Sequence, residues 1–335
     1  MAIVTRALVR ITVAIFVLAL AFYAASWISP WPGALIIRAI FDRGADRASQ
    51  GLKPHVPPDV ISRLNESYNP ADKAALLDVF YPSMIENTER SLPGIVWIHG
   101  GAWISGSKDD IANYGRILAA RGYAVVGVDY SIAPGAKYPE PVRQVNTALI
   151  YLVANSSRLH LDTSNIFLAG DSAGAHIAAQ LANAISVPPY AALLGMKPAI
   201  SRLQLRGLVL FCGAYDVKHV RLDGPFGWFL RTVLWSYSGT KGFMDDPRFA
   251  TASVIQYVTA DFPAAFVSAG NADPLGTQSH AFAEALSARG VRVDTLFFPQ
   301  DYSPGLQHEY QFDLDTDAGR LAFDRMLAFL TSQRR

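Results

Sequence analysis

The sequence predicts an α/β protein: a doubly wound, mostly parallel sheet with helices on both faces. Three observations point to it. Seven short apolar runs recur along the chain, at residues 76–81, 95–99, 124–129, 166–169, 207–212, 265–269 and 293–298. Most are unbroken rather than alternating, which is how strands buried on both faces read. Helix-period segments lie between them, so strand and helix alternate. The 335 residues are 51% hydrophobic and 17% charged, which suits a chain that buries a full core.

The N-terminus comes first. Residues 11–28 carry no charge, and at about 1.5 Å per residue they just span a hydrocarbon core. Arg6 and Arg10 precede them, which favours a cytoplasmic N-terminus with the rest outside. Three readings stand: a membrane anchor over residues 1–30, a cleaved signal peptide with Ala24-Ala25-Ser26 as its cleavage site, or a buried helix. Arg38, Arg43 and Arg47 lie just beyond and weaken the orientation rule. Residues 31–41 open on Trp31 and Pro32, suit a helix, and are apolar nearly all round. They lie either at a membrane interface or on the globular domain. Residues 42–63 turn polar and Pro-rich and read as a linker.

The globular domain is expected over residues 64–335. Helices are expected at 109–121, 139–155, 173–185, 277–289 and 317–333, and Gly122 and Gly290 each follow one at the C′ position. Two stretches, 186–206 and 217–262, are too long for simple connections. The second holds a dense aromatic run at 226–235 and is either a lid over the active site or an ordinary extra helix. Phe226 and Trp228, with Trp103 of an earlier loop, are the candidate substrate contacts.

Charge and cysteine narrow the chemistry. Lys plus Arg number 29 against 28 Asp plus Glu, a formal net charge of +1, which gives no electrostatic reason for a nucleic-acid partner. Cys212 is the single cysteine, so no internal disulfide forms, and without CxxC or HExxH no metal site is expected. No P-loop is found, nor a G-x-G-x-x-G opening a helix after a strand, so no cofactor is expected.

Residues 170–174, Gly-Asp-Ser-Ala-Gly, match G-x-S-x-G between a strand and a helix. So sharp a turn leaves no room for bulky neighbours, and Ser172 is presented at a helix N-terminus that favours developing negative charge. Residues 99–103, His-Gly-Gly-Ala-Trp, follow another strand as an HGGG-type loop whose glycines aim backbone N–H groups at a substrate oxygen. The expected oxyanion donors are Gly101, Ala102 and Ala173, with His99 a structural histidine of the loop. After such a serine the acid and then the histidine follow in chain order. His308, in a Gly- and Pro-containing loop after the last strand run, is the expected base. It is preferred over His176 in the nucleophile helix, His219 in the suspected lid and His280 in a helix. For the acid, Asp273 is favoured over Asp216, whose alternative role is to hold its own turn.

Together HGGAW, VDYSIAP at 128–134, GDSAG, ADPL at 272–275 and the late histidine resemble the α/β-hydrolase superfamily, within it the hormone-sensitive-lipase-like carboxylesterases and their bacterial esterase relatives. The resemblance covers about residues 76–312. SIAP stands where those proteins carry RLAP, HGGAW where they carry HGGGF or HGGGW, and LDVFYP at 77–82 looks more like the feruloyl-esterase-like and arylformamidase-like branches. The resemblance implies an α/β-hydrolase fold and cofactor-free hydrolysis of carboxylic esters, small or lipid, through Ser172, Asp273 and His308. The rival readings are an amidase, arylformamidase or peptidase on the same triad, and a catalytically inactive membrane-bound interaction protein.

Overall fold

The computed structural model describes residues 2–334. Its frame is one eight-stranded sheet in the order β1-β2-β4-β3-β5-β6-β7-β8. The strands are β1 (Val60–Ser67), β2 (Leu76–Pro82), β3 (Leu92–Ile98), β4 (Ala124–Val128), β5 (Leu161–Asp171), β6 (Leu205–Phe211), β7 (Ala265–Ala269) and β8 (Val293–Phe297). β1 and β2 run antiparallel to their neighbours, and from β4 through β8 every pairing is parallel. The central strands are buried along almost their whole length, β4 completely. That is why their sequences are unbroken apolar runs.

Among the described residues there are ten α-helices: α1 (Ala2–Ile28), α2 (Trp31–Leu52), α3 (Ala112–Ala119), α4 (Glu140–Ala154), α5 (Ala173–Ser186), α6 (Pro188–Leu193), α7 (Gly227–Ser238), α8 (Pro247–Ala250), α9 (Gly276–Ser287) and α10 (Asp317–Gln333). Apolar clusters fill both faces. One gathers α4, α5 and α9 residues around Val96, Val126 and Leu208; the other gathers α3 and α10 residues around Trp97, Phe167 and Phe211. The alternation of Val96 and Trp97 between clusters is the strand period of two.

Two differences from the sequence reading concern the N-terminal third. The stretch read as a linker is helical to Leu52, and its end already belongs to β1. β1 is a half-buried edge strand whose sequence, VISRLNES, has neither an apolar run nor clean alternation. Its ladder is broken between Arg63 and Glu66, where Asn65 takes a positive φ of 59° and donates its N–H to Asp78 Oδ1 at 2.7 Å. The 217–262 insertion holds α7 and α8, and α7 packs against α2: Gly33 faces Thr232 and Trp228, and the Phe41 and Phe229 rings meet at 5.7 Å. α1 is the one candidate membrane span among the described residues. Its Arg10–Ile28 window has a mean hydropathy of 2.2, and none of it is buried.

Candidate active site

The C-terminal ends of β3, β5, β7 and β8 lead into the loops that bear the predicted residues, the edge where open α/β sheets present their chemistry. β5 lies between β3 and β6 at the middle of the sheet and ends on Asp171. Ser172 then turns the chain into α5 with φ 50° and ψ −117°. A non-glycine residue held at positive φ stores about 1–3 kcal/mol of strain. The surroundings hold it: the Ser172 N–H donates to Phe211 O at 2.9 Å, and α5 lies so close to β3 that a Cβ on Gly174 would overlap the carbonyl oxygen of Ile98. Ser172 is 8% exposed.

After β3 the chain makes a tight loop in which Gly101, Ala102 and Trp103 all have positive φ, of 98°, 53° and 59°. The Gly101 carbonyl turns inward and accepts from Ile104 N, Ser105 N and Ser105 Oγ. Among the described hydrogen bonds, the backbone N–H groups of Gly101, Ala102 and Ala173 have no partner. His99 anchors this loop. Its ring stacks on Tyr130 at 4.2 Å, its Nδ1 bonds Gly100 O at 2.8 Å, and Tyr130 Oη donates to His99 O at 3.0 Å. Burial lowers the His99 pKa to about 4, so the ring is neutral and Nδ1–H is the donor.

His308 and Asp273 meet although 35 residues separate them: Nδ1 lies 2.9 Å from Asp273 Oδ2. Leu275 N–H donates to the other carboxylate oxygen at 2.7 Å, and the Asp273 side chain is fully buried. The two loops are fastened together. Leu306 N donates to Asn271 Oδ1, and Ala272 N donates to Leu306 O. A Cβ on Gly270 would overlap that same Leu306 carbonyl oxygen, so glycine is what lets the loops close. Asp216 stands elsewhere, with Oδ2 2.6 Å from Nδ1 of the exposed His219. His176 is buried, its Nδ1 accepting from Trp103 Nε1 and its Nε2 facing Ala252 O, and His280 stacks on Phe297.

Burial disfavours the charged form of His308, but it is outweighed. Cys212, the bond to Asp273 and the nearby Glu309 all favour that form, and the imidazole is held well above the ordinary histidine range. A thiol acts this way only when ionised, and burial keeps Cys212 neutral up to about 11. At neutral pH the two carboxylates therefore do the holding. The donor atoms of Cys212, Asp273 and His308 lie within 4.8 Å of one another. That set suits a borderline-soft cation. In the resting site, however, the Nδ1–Oδ2 hydrogen bond already engages two of the three donors.

Ser172, His308, Gly100 and Gly101 share one cavity of about 300 Å³. Two features of its wall were not read from the sequence. α2 supplies Ile40, Phe41, Gly44, Ala45, Ala48 and Leu52, so the supposed linker helix covers the site. Carboxyl groups also line it: Asp110, whose pKa burial raises to about 6, and the neighbours Asp171 and Glu309. None of the lining residues is Lys or Arg. Nor do the three expected substrate contacts line it. Trp103 is buried behind the loop and stacked on Tyr237 at 4.7 Å, while Phe226 and Trp228 stand out on the α7 side, 58% and 55% exposed. Outward-facing aromatics and pocket-facing aromatics look alike in sequence. The one signal for Glu309 was its position next to His308.

Comparison with known proteins agrees with this architecture. The carboxylesterase NlhH of Mycobacterium tuberculosis is 29% identical over 284 residues, 82% of this chain and 84% of that one. Esterase B of Lactobacillus rhamnosis, solved with a tributyrin phosphonate inhibitor, superposes with a TM-score of 0.77 at 24% identity, covering 90% of this chain and 95% of that one. An esterase of the archaeon Pyrobaculum calidifontis gives 0.68 at 22% identity, with 89% and 91% covered. Residues 77–286 match the BD-FAE family. With that match across most of the sheet and this topology, the chain belongs to the BD-FAE family and has the α/β-hydrolase fold.

Proposed function

We propose that this protein is a serine carboxylesterase working through a covalent acyl-enzyme, and that Ser172, Asp273 and His308 are its catalytic residues. The observation that carries the reading is the 2.9 Å bond from His308 Nδ1 to a buried Asp273, with His308 and the strained Ser172 in one cavity. His308 takes the Ser172 proton as Oγ attacks the ester carbonyl, and Asp273 holds the ring's tautomer and stabilises the imidazolium. The N–H groups of Gly101, Ala102 and Ala173 receive the oxyanion, each such donor being worth about 3 kcal/mol of barrier. His308 then returns the proton to the leaving alcohol and activates the water that releases the acid. None of these steps requires a group the chain lacks.

The test is hydrolysis of p-nitrophenyl esters of increasing acyl length, with Ser172→Ala as control. Turnover by the wild type alone supports the reading. Equal rates for both proteins, or activity confined to matched amide substrates, would overturn it.

We further propose that α1 is a retained anchor, with the catalytic domain outside the cytoplasm. The wholly unburied Arg10–Ile28 span supports an anchor, and Arg6 before it with Arg10 at its start supports the orientation. The intact mass of the membrane-extracted protein distinguishes this from secretion after signal cleavage.

A further inference from the structure

α2 has two faces with different tasks. Its inner side packs Ala34 and Ile37 into the core and lends Phe41 to the catalytic cavity, with Ile40 at the edge between the two sides. Its outer side is apolar and uncovered: Trp31 is 43% exposed, Leu35 51%, Ile36 42% and Ile40 60%. Ile36 and Ile40 lie one turn apart, and the same stripe continues through Arg43 and Arg47, which are exposed. Arg38, counted from the sequence as a third flanking cation, is turned inward instead, donating to Ile104 O and Ala133 O. The exposed Trp228 of α7 packs against α2 at Gly33. A soluble protein rarely leaves so many large apolar side chains together in water.

The chain itself indicates what covers this face. α1 ends at Ile28 and α2 begins at Trp31, so only Ser29 and Pro30 separate the unburied 19-residue apolar span from the apolar stripe. Lys241 fastens the end of α1 to the domain, donating to Trp27 O and lying over the Trp235 ring at 4.8 Å. Thirteen residues at about 1.5 Å each put Phe41, on the cavity wall, within about 20 Å of the end of the span at Ile28. A stripe that is apolar near the span and carries exposed charges of both signs beyond it, Asp42, Arg43, Asp46 and Arg47, suits the polar boundary of a bilayer interface.

We infer that the outer face of α2 lies in the bilayer interface, so that the catalytic cavity receives its substrates, esters of hydrophobic acyl chains, directly from the membrane. The inference rests on the ester-hydrolase reading above, and its test separates the two. The full chain is reconstituted into phosphatidylcholine–phosphatidylglycerol vesicles carrying a long-chain p-nitrophenyl ester, and p-nitrophenyl acetate is assayed in parallel. The variant Leu35→Gln/Ile36→Gln changes exposed side chains outside the cavity wall. Its turnover of the vesicle-borne ester should fall about tenfold while acetate hydrolysis stays at the wild-type rate. An environment-sensitive fluorophore on Leu35→Cys, the buried Cys212 being inaccessible, should shift to the blue when vesicles are present. An unchanged vesicle rate with an unshifted probe would overturn the docking. A wild type inactive on acetate would instead overturn the esterase reading.

Discussion

Asp171 and Glu309 form a carboxyl–carboxyl pair directly beneath the candidate oxyanion loop. Asp171 Oδ2 and Glu309 Oε1 both lie against Gly100, and Asp171 Oδ1 accepts from Trp97 Nε1 at 2.7 Å. Burial, and then the neighbouring Glu309, hold the Asp171 carboxyl well above the usual range, which favours its neutral form. Glu309 Oε1 in turn lies 3.9 Å from His308 Nε2. The imidazole thus stands between two carboxylates, Asp273 on Nδ1 and Glu309 near Nε2.

This arrangement predicts a shifted pH profile. His308 acts as base only when neutral, so activity rises as pH passes through its raised value. Glu309→Gln removes one influence that raises it, and the acid limb of kcat/KM moves to lower pH. A profile that does not move would show that Glu309 does not act on the imidazole.

Asp171→Asn keeps an acceptor for Trp97 and a donor for Glu309 without needing a proton. Folding raises the Asp171 pKa above its unfolded value, so this group's stabilisation is complete below the ordinary aspartate range. It is lost as pH rises through the folded value. Thermal melts of Asp171→Asn should therefore fall off less than wild type between acidic and neutral pH. Asp171→Ala strands the buried Trp97 N–H and should cost about 1–3 kcal/mol at acidic pH.

Removing either end of the proposed relay should lower kcat steeply. Ser172→Ala should lose about three orders of magnitude or more, and Asp273→Asn about 10³- to 10⁴-fold, with the fold retained by circular dichroism. The double variant should be scarcely worse than Ser172→Ala, because the residues act as a unit. Additive losses would contradict the relay.

Ala102→Gly should keep activity, since the proposed oxyanion donor is a backbone N–H. Relief of the positive φ is worth about 1–2 kcal/mol, which the added chain entropy and the lost methyl roughly offset. Chemical denaturation should place the variant within about 1 kcal/mol of wild type.

Phe41→Ala should widen the cavity where α2 covers it and loosen the contact with Phe229. The expected result is a preference shifted towards bulkier acyl groups, with about 1–2 kcal/mol of stability lost from a partly exposed ring. An unchanged acyl-length profile would place the acyl chain elsewhere in the cavity.

The sequence by itself determined the parallel sheet, because strands buried on both faces read as apolar runs, and the central strands β3 to β7 each carry one. It also placed Ser172 at a strand–helix turn, because Gly170 and Gly174 leave room for nothing else. Asp273 and His308 were selected by chain order, and their meeting came from two loops closing over Gly270. What only the tertiary structure decided is what packs against what. β1 is an edge strand with one half-buried face and a bulge, so its sequence carries no strand signal. A helix apolar on two sides reads the same whether it faces a core, a cavity or a bilayer, so the place of α2 over Ser172 was not legible. The Asp171–Glu309 pair joins residues 138 positions apart. No local pattern encodes it, because such a contact exists only once β5 and the loop after β8 have been brought to one edge of the sheet.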